Sequence, residues 1–264
     1  MPRVDVPLAR LRFAQTQRRD TWWVTPLVVF TILSSFIGYA TWAALQNANY
    51  SWGPYLSPFY SPLLFTADGK GWFGAPPAWF PHWLSPAMLI LGIPAGFRLT
   101  CYYYRGAYYK AFWADPPACA VGEPRKTYLG ERSFPLILQN VHRYFLYLAI
   151  IFIFILSYDV WDAMWWPDAA GTRHFGIGLG TLVLALNVVL IASYTLGCHS
   201  LRHLVGGVMD KFSGRPVRKA AYDCVSCLNR SHMLFAWCSL FSVMGADLYV
   251  RLCAMGVVTD WRII

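Results

Sequence analysis

Apolar runs of about 20 residues recur along this chain, the length that crosses a hydrocarbon core of about 30 Å as a helix. Five can be marked. They lie at about 22–45 (WWVTPLVVFTILSSFIGYATWAAL), 84–104 (LSPAMLILGIPAGFRLTCYYY), 144–164 (YFLYLAIIFIFILSYDVWDAM), 175–197 (FGIGLGTLVLALNVVLIASYTLG) and 233–255 (MLFAWCSLFSVMGADLYVRLCAM). Of the 264 residues 57% are hydrophobic and 13% charged, about half the charged share of a soluble domain, roughly 25%. The expected fold is all-α: one integral membrane domain over residues 1–264, a bundle of five transmembrane helices. Pro94 and Gly96 are expected to kink the second, tolerable where neighbouring helices cover the freed carbonyl.

Basic residues orient the bundle. Segment 1–20 carries five Lys or Arg, segment 98–143 seven and segment 198–232 six; the other side has only Lys70, Arg173, Arg251 and Arg262. The positive-inside bias places the N-terminus in the cytoplasm and the C-terminus outside, as five spans require. It also accounts for the net charge of +9 without invoking nucleic acid. The N-terminus lacks the short apolar core and small-residue cleavage site of a secretory signal. The outer loop 46–83 is rich in Pro, Tyr and Trp and is expected to pack at the membrane surface, with a second ligand site there as the alternative. Asp247, inside the fifth span, is costly unless paired. Arg251 stands at i+4 as its structural partner, and a proton relay is the other reading.

Cysteines and histidines collect at the cytoplasmic ends of the spans: Cys101, Cys119, His142, Cys198, His199, His203, Cys224, Cys227 and His232. Only His82 and His174 fall outside, and Cys238 and Cys253 sit within the fifth span as apolar thiols do. The cytoplasm is reducing, so a disulfide framework is not expected. In CHSLRH, His199 and His203 are one helical turn apart and point the same way. One metal ion can take both; the structural alternative is contact with the last helix carbonyls. A bis-imidazole iron beside a bis-thiolate iron is a Rieske-type [2Fe–2S] ligand set. One His from each of two helices would suit haem b instead. CVSC at 224–227 reads as a zinc or cluster half-site, or as two ordinary thiols. The stretch CYYYRGAYYK at 101–110 reads as an interfacial belt, or as a site for an amphipathic ring such as a quinone.

The motifs NANYSWGPYLSPFYSP, GFRLTCYYYRGAYYKAFWADPPACAV, FPLILQNVHRYF, CHSLRHLVGG and LNRSHMLFAWCSLF span nearly the whole chain. They resemble the five-helix membrane anchor of actinobacterial-type succinate:quinone oxidoreductase, respiratory complex II. The resemblance implies a multi-pass subunit of a prokaryotic inner (plasma) membrane. It implies a flavoprotein subunit with covalent FAD, an iron–sulfur subunit with three clusters and, in some members, a small extra membrane subunit. It implies that this chain anchors the complex in the lipid bilayer and relays electrons from the iron–sulfur subunit to menaquinone, through a membrane-embedded Rieske-type [2Fe–2S] cluster. On that reading Cys101 and Cys119 bind one iron, and His199 and His203 the other. Cys198 is a further candidate thiolate; His142 and His232 are further imidazoles. Tyr103, Arg105, Tyr109 and Arg143 are the expected quinone donors. The same role with haem b, held for example by His142 and His203, is the runner-up. A cofactor-free transporter or assembly protein is the reading from another class, and the absence of polar stripes along the spans weighs against it. A cytoplasmic zinc sensor built on CVSC is the remotest reading.

Overall fold

The computed structural model describes residues 12–264 except 82, 126–131, 135, 169, 208 and 209. His82, and Arg3, Arg10 and Lys126 among the orienting charges, therefore lie outside the described residues. The chain is mostly helical. In order come α1 (Val24–Gln46), a hairpin of β1 (Ser51–Trp52) and β2 (Tyr55–Leu56), α2 (Pro86–Thr100) and α3 (Tyr102–Phe112). A 3-10 turn (Leu136–Val141) then leads into α4 (His142–Asp162). A hairpin of β3 (Trp165–Pro167) and β4 (Arg173–Phe175) precedes α5 (Leu179–Leu196), α6 (His199–Gly206), α7 (Pro216–Arg230) and α8 (His232–Ala254).

Among the described residues, four apolar helices are long enough to cross a membrane: Val24–Gln46, Leu136–Asp162, Leu179–Leu196 and His232–Ala254. Each lies close to an expected run. Large apolar side chains such as Ile37, Phe154, Val189 and Met233 point outward along them. A helix apolar on every face needs lipid or protein all round. The second run departs from expectation. Its helix, α2, has 15 residues, a rise of only about 22 Å. It ends at Thr100 because Cys101 is extended (φ −64°, ψ 131°), and α3 restarts at Tyr102. Hydropathy registers composition and passes over one extended residue. Pro94 sits inside α2. The fourth run also begins late, because residues 173–175 pair with 165–167 as β4 and β3.

Two compact units form, Met1–Ile37 with Leu99–Asn140 and Gly38–Arg98 with Val141–Ile264. In the first, Ala14 N–H donates to Gly122 O and Gly122 N–H to Gln15 O, both at 2.9 Å. These bonds tie the segment before α1 to the loop after α3. Phe30 of α1 meets Phe112 of α3 at 4.7 Å.

In the second unit, one end is closed by the loop after α1. Tyr55 is buried against Ala163, Leu184, Ala246 and Val250, and its hydroxyl donates to Asp260 at 2.9 Å. A Cβ at Gly180 would meet the Tyr55 ring at 2.3 Å, so only glycine lets α5 pass so close. Asp247, fully buried, accepts from Tyr39 (2.6 Å), from Ser57 and from Arg251 Nε (2.8 Å). Arg251 also donates to the carbonyls of Ala48 (2.9 Å) and Ala43 (2.7 Å). Tyr60 donates to those of Ala43 and Ala44. The last carbonyls of α1, which have no partner within their own helix, are thus capped by side chains from elsewhere. The expected Asp247–Arg251 pair forms, and the loop carries much of its hydrogen bonding.

Candidate functional site

In the second unit α5 ends where Gly197 meets the next element. A Cβ there would stand 2.8 Å from Ser193 O and 3.2 Å from Leu228. Asn229 Nδ2 donates to the Gly197 carbonyl at 2.7 Å, satisfying a helix-end acceptor. Cys198 then caps α6: its backbone is extended, and its Sγ accepts from Ser200 N–H at 3.4 Å. Cys198 is 2% exposed, with its Sγ 3.1 Å from Nε2 of His142, the first residue of α4. The two share one proton, as N–H···S or S–H···N.

His142 is itself buried, and its ring stacks on Phe97 of α2 at 4.7 Å and 10°. Phe97 meets Tyr194 of α5 edge-on at 5.4 Å, and Tyr194 stacks on His232 of α8 at 4.9 Å. The Arg98 guanidinium lies 4.8 Å from the Tyr194 ring centre and donates to Ala236 O (3.1 Å) and Ser239 Oγ (2.9 Å). Gly96 makes room for this layer: a Cβ there would meet Phe145 of α4 at 2.3 Å. The layer brings His142, His232 and Cys198 into one region, with aromatic rings between the two imidazoles.

His199 and His203 go the other way. Both are exposed on α6, with Nε2 atoms 3.0 Å apart and rings at 87°. Burial, then the neighbouring charges of His203 and Arg202, hold the His199 imidazole below its ordinary range. α6 is braced against α7. Arg202 Nε donates to Ser226 Oγ at 3.1 Å, Arg218 Nε to Val205 O at 2.6 Å, and Gly206 fits under the Tyr222 ring. Cys224 and Cys227 of CVSC are exposed. Among the described residues, no three His, Cys, Asp or Glu side chains come together as a metal site.

The first unit holds the other candidates. Cys101 is buried at the start of α3, whereas Cys119 is exposed, its carbonyl accepting from Arg18 at 2.9 Å. Tyr103, Arg105 and Tyr109 share α3. Tyr103 packs edge-on to Tyr104, and Tyr109 donates to Asp115 at 2.9 Å. Asp115 is buried and also pairs with Arg125 at 3.0 Å. Arg105 donates to Gln139 Oε1 at 2.9 Å. Gln139 Nε2 is buried with no hydrogen-bond partner among the described residues. Arg143 is exposed and belongs to the second unit.

Sequence reasoning missed Phe97 and Tyr194, which look like ordinary apolar-span residues, and Gln139. The last had a signal: it lies three residues before His142 in FPLILQNVHRYF.

Residues 24–256 match the family described as actinobacterial succinate dehydrogenase subunit SdhC. A solved structure described as the Mycobacterium smegmatis Sdh1 complex in the apo form contains a chain 43% identical to this one. The likeness covers 98% of each chain at a TM-score of 0.87. No curated protein matches the chain in sequence.

Proposed function

Because the chain belongs to the actinobacterial SdhC family and is a membrane subunit of a succinate dehydrogenase complex, we propose that it relays electrons from the iron–sulfur subunit to menaquinone through a buried redox centre. The observation that carries this is the Cys198–His142 pair, a thiol and an imidazole in contact at 3.1 Å and shielded from water. Their hydrogen bond offsets the cost of burying both groups and leaves two metal-ligating atoms side by side. The donor types fit one thiolate and one imidazole of a Rieske-type [2Fe–2S] cluster. His232 is the natural second imidazole, by its place in the same aromatic layer. Cys101 and Cys119 belong to the first unit and are not assigned to this pair. His199 and His203, exposed and paired with each other, are not assigned to the centre.

The cluster would take up and pass on single electrons. Exchanging two thiolates for imidazoles raises a [2Fe–2S] potential from about −400 mV to about −150 mV or above. That is the direction required of a centre fed by succinate. Phe97 and the other rings exclude water from the pair, and Arg98 holds Tyr194 in place. In the first unit, Arg105, Tyr109 and Gln139 bind and orient the quinone. The Gln139 amide, whose buried N–H groups lack an acceptor among the described residues, supports a carbonyl ligand there. Haem b has less support. His203 turns to His199 rather than to His142, and aromatic rings lie against His142 and His232 where a porphyrin would need space.

The five-span arrangement with a cytoplasmic N-terminus is part of the same reading, as is docking of the flavoprotein and iron–sulfur subunits on the basic face. The test is low-temperature EPR of the dithionite-reduced complex, with an optical spectrum of the same sample. The low-average-g signal of a histidine-ligated [2Fe–2S] centre should be present in wild type and lost in Cys198→Ser. A Soret band without that signal would move the histidines to haem. Iron content and EPR unchanged by Cys198→Ser would overturn the assignment.

A further inference from the structure

The turn at Cys198 sends the thiol inward and leaves the next two histidines outside. His199 and His203 present their Nε2 atoms to each other at 3.0 Å on an exposed helix face. With metal–nitrogen bonds of about 2.0–2.1 Å, adjacent corners of a square-planar or octahedral ion stand about 2.9 Å apart, and those of a tetrahedral ion about 3.4 Å. The observed spacing is close to the first. Imidazole nitrogens suit late transition metals, whereas Mg2+ and Ca2+ prefer oxygen ligands.

We propose that His199 and His203 form a bidentate surface site for a late divalent transition-metal ion, Ni2+ or Cu2+ ahead of Zn2+, with water completing its coordination. In the metal-free chain one Nε2–H bridges to the other nitrogen. On binding, that imidazole carries its proton on Nδ1 instead, so both Nε2 lone pairs face the ion and no net proton is released. The helix that carries the pair is already braced: Arg202 is held by Ser226, Arg218 by Val205 O, and Gly206 packs under Tyr222. Little ordering remains to be done when the ion arrives. The site is separate from the buried Cys198–His142 pair and does not depend on the redox assignment.

The test is calorimetric titration of the detergent-purified complex with NiCl2. Wild type and a Cys224→Ser/Cys227→Ser variant should each bind one equivalent at this site. His199→Ala and His203→Ala should each weaken it by roughly a hundredfold, because either change reduces chelation to a single contact. Iron content should stay constant across all four. Nickel binding that survives both histidine variants, or disappears with the thiols, would overturn the proposal. So would wild type that takes up no nickel, or iron that is lost with either histidine, since that would place the pair in the redox centre.

Discussion

The two ends of the second unit handle buried polar groups in opposite ways. At the loop end, Asp247 accepts from Tyr39, Ser57 and Arg251, and Arg251 closes two backbone carbonyls. Asp159 accepts from Ser61, and Asp260 from Tyr55 and Tyr249. Charge there is met by charge and hydroxyl, with hard oxygen donors used up in holding the loop. At the other end the buried groups are a thiol and imidazoles, set among aromatic rings. Saturated ion pairs hold a structure together, whereas thiol and imidazole groups are soft donors of the kind that ligate transition metals. On the proposed function, the contrast separates a structural end from a redox end within a single packed unit.

Substitutions should split the two ends cleanly. The largest stability loss is expected from Arg251→Ala, which leaves Asp247 buried and uncompensated, a change worth about 3–5 kcal/mol. It should show as a fall in the thermal midpoint of the purified complex, while the EPR spectrum of whatever folds stays intact. Gly180→Ala forces a methyl into the Tyr55 ring and should cost about 1–3 kcal/mol by overpacking, read in the same melt. Tyr55→Phe removes one donor to Asp260, which keeps Tyr249 and the Gly180 N–H, and should cost about 1 kcal/mol. Measured against the cluster-free wild type, Cys198→Ser is expected to have the smallest effect on stability, within about 1 kcal/mol, because a hydroxyl can still bond to His142. Yet it should abolish the redox signal and quinone reduction. A variant at the loop end that erased the spectrum, or a Cys198→Ser protein as unstable as Arg251→Ala, would break the distinction.

Much of the fold was legible because its signals are local. The runs at 22–45, 144–164, 175–197 and 233–255 correspond closely to the four long helices, since length and composition alone decide what can lie in a bilayer. The Asp247–Arg251 pair was readable as an i,i+4 contact. The candidate site was legible only in part. Its residue types and neighbourhood were visible, and His142 and Cys198 were among the candidates. Their pairing was not, because 56 positions separate them and nothing local couples them. Nor could CHSLRH reveal that its thiol and its imidazoles part company, since that depends on an extended residue at the helix start.

The sequence by itself determined that this is a helical membrane subunit, where its long helices lie, and which residue types gather near their ends. Only the tertiary structure decided which donors are buried together. It joined Cys198 to His142, placed Phe97 and Tyr194 between the imidazoles, turned His199 and His203 to the surface, and ended α2 at Thr100. The reason is physical: a helix apolar on every face looks the same in sequence whether a given side meets lipid or protein. Its packing partners are chosen by close approach at positions such as Gly96, and by the few polar groups that must be satisfied.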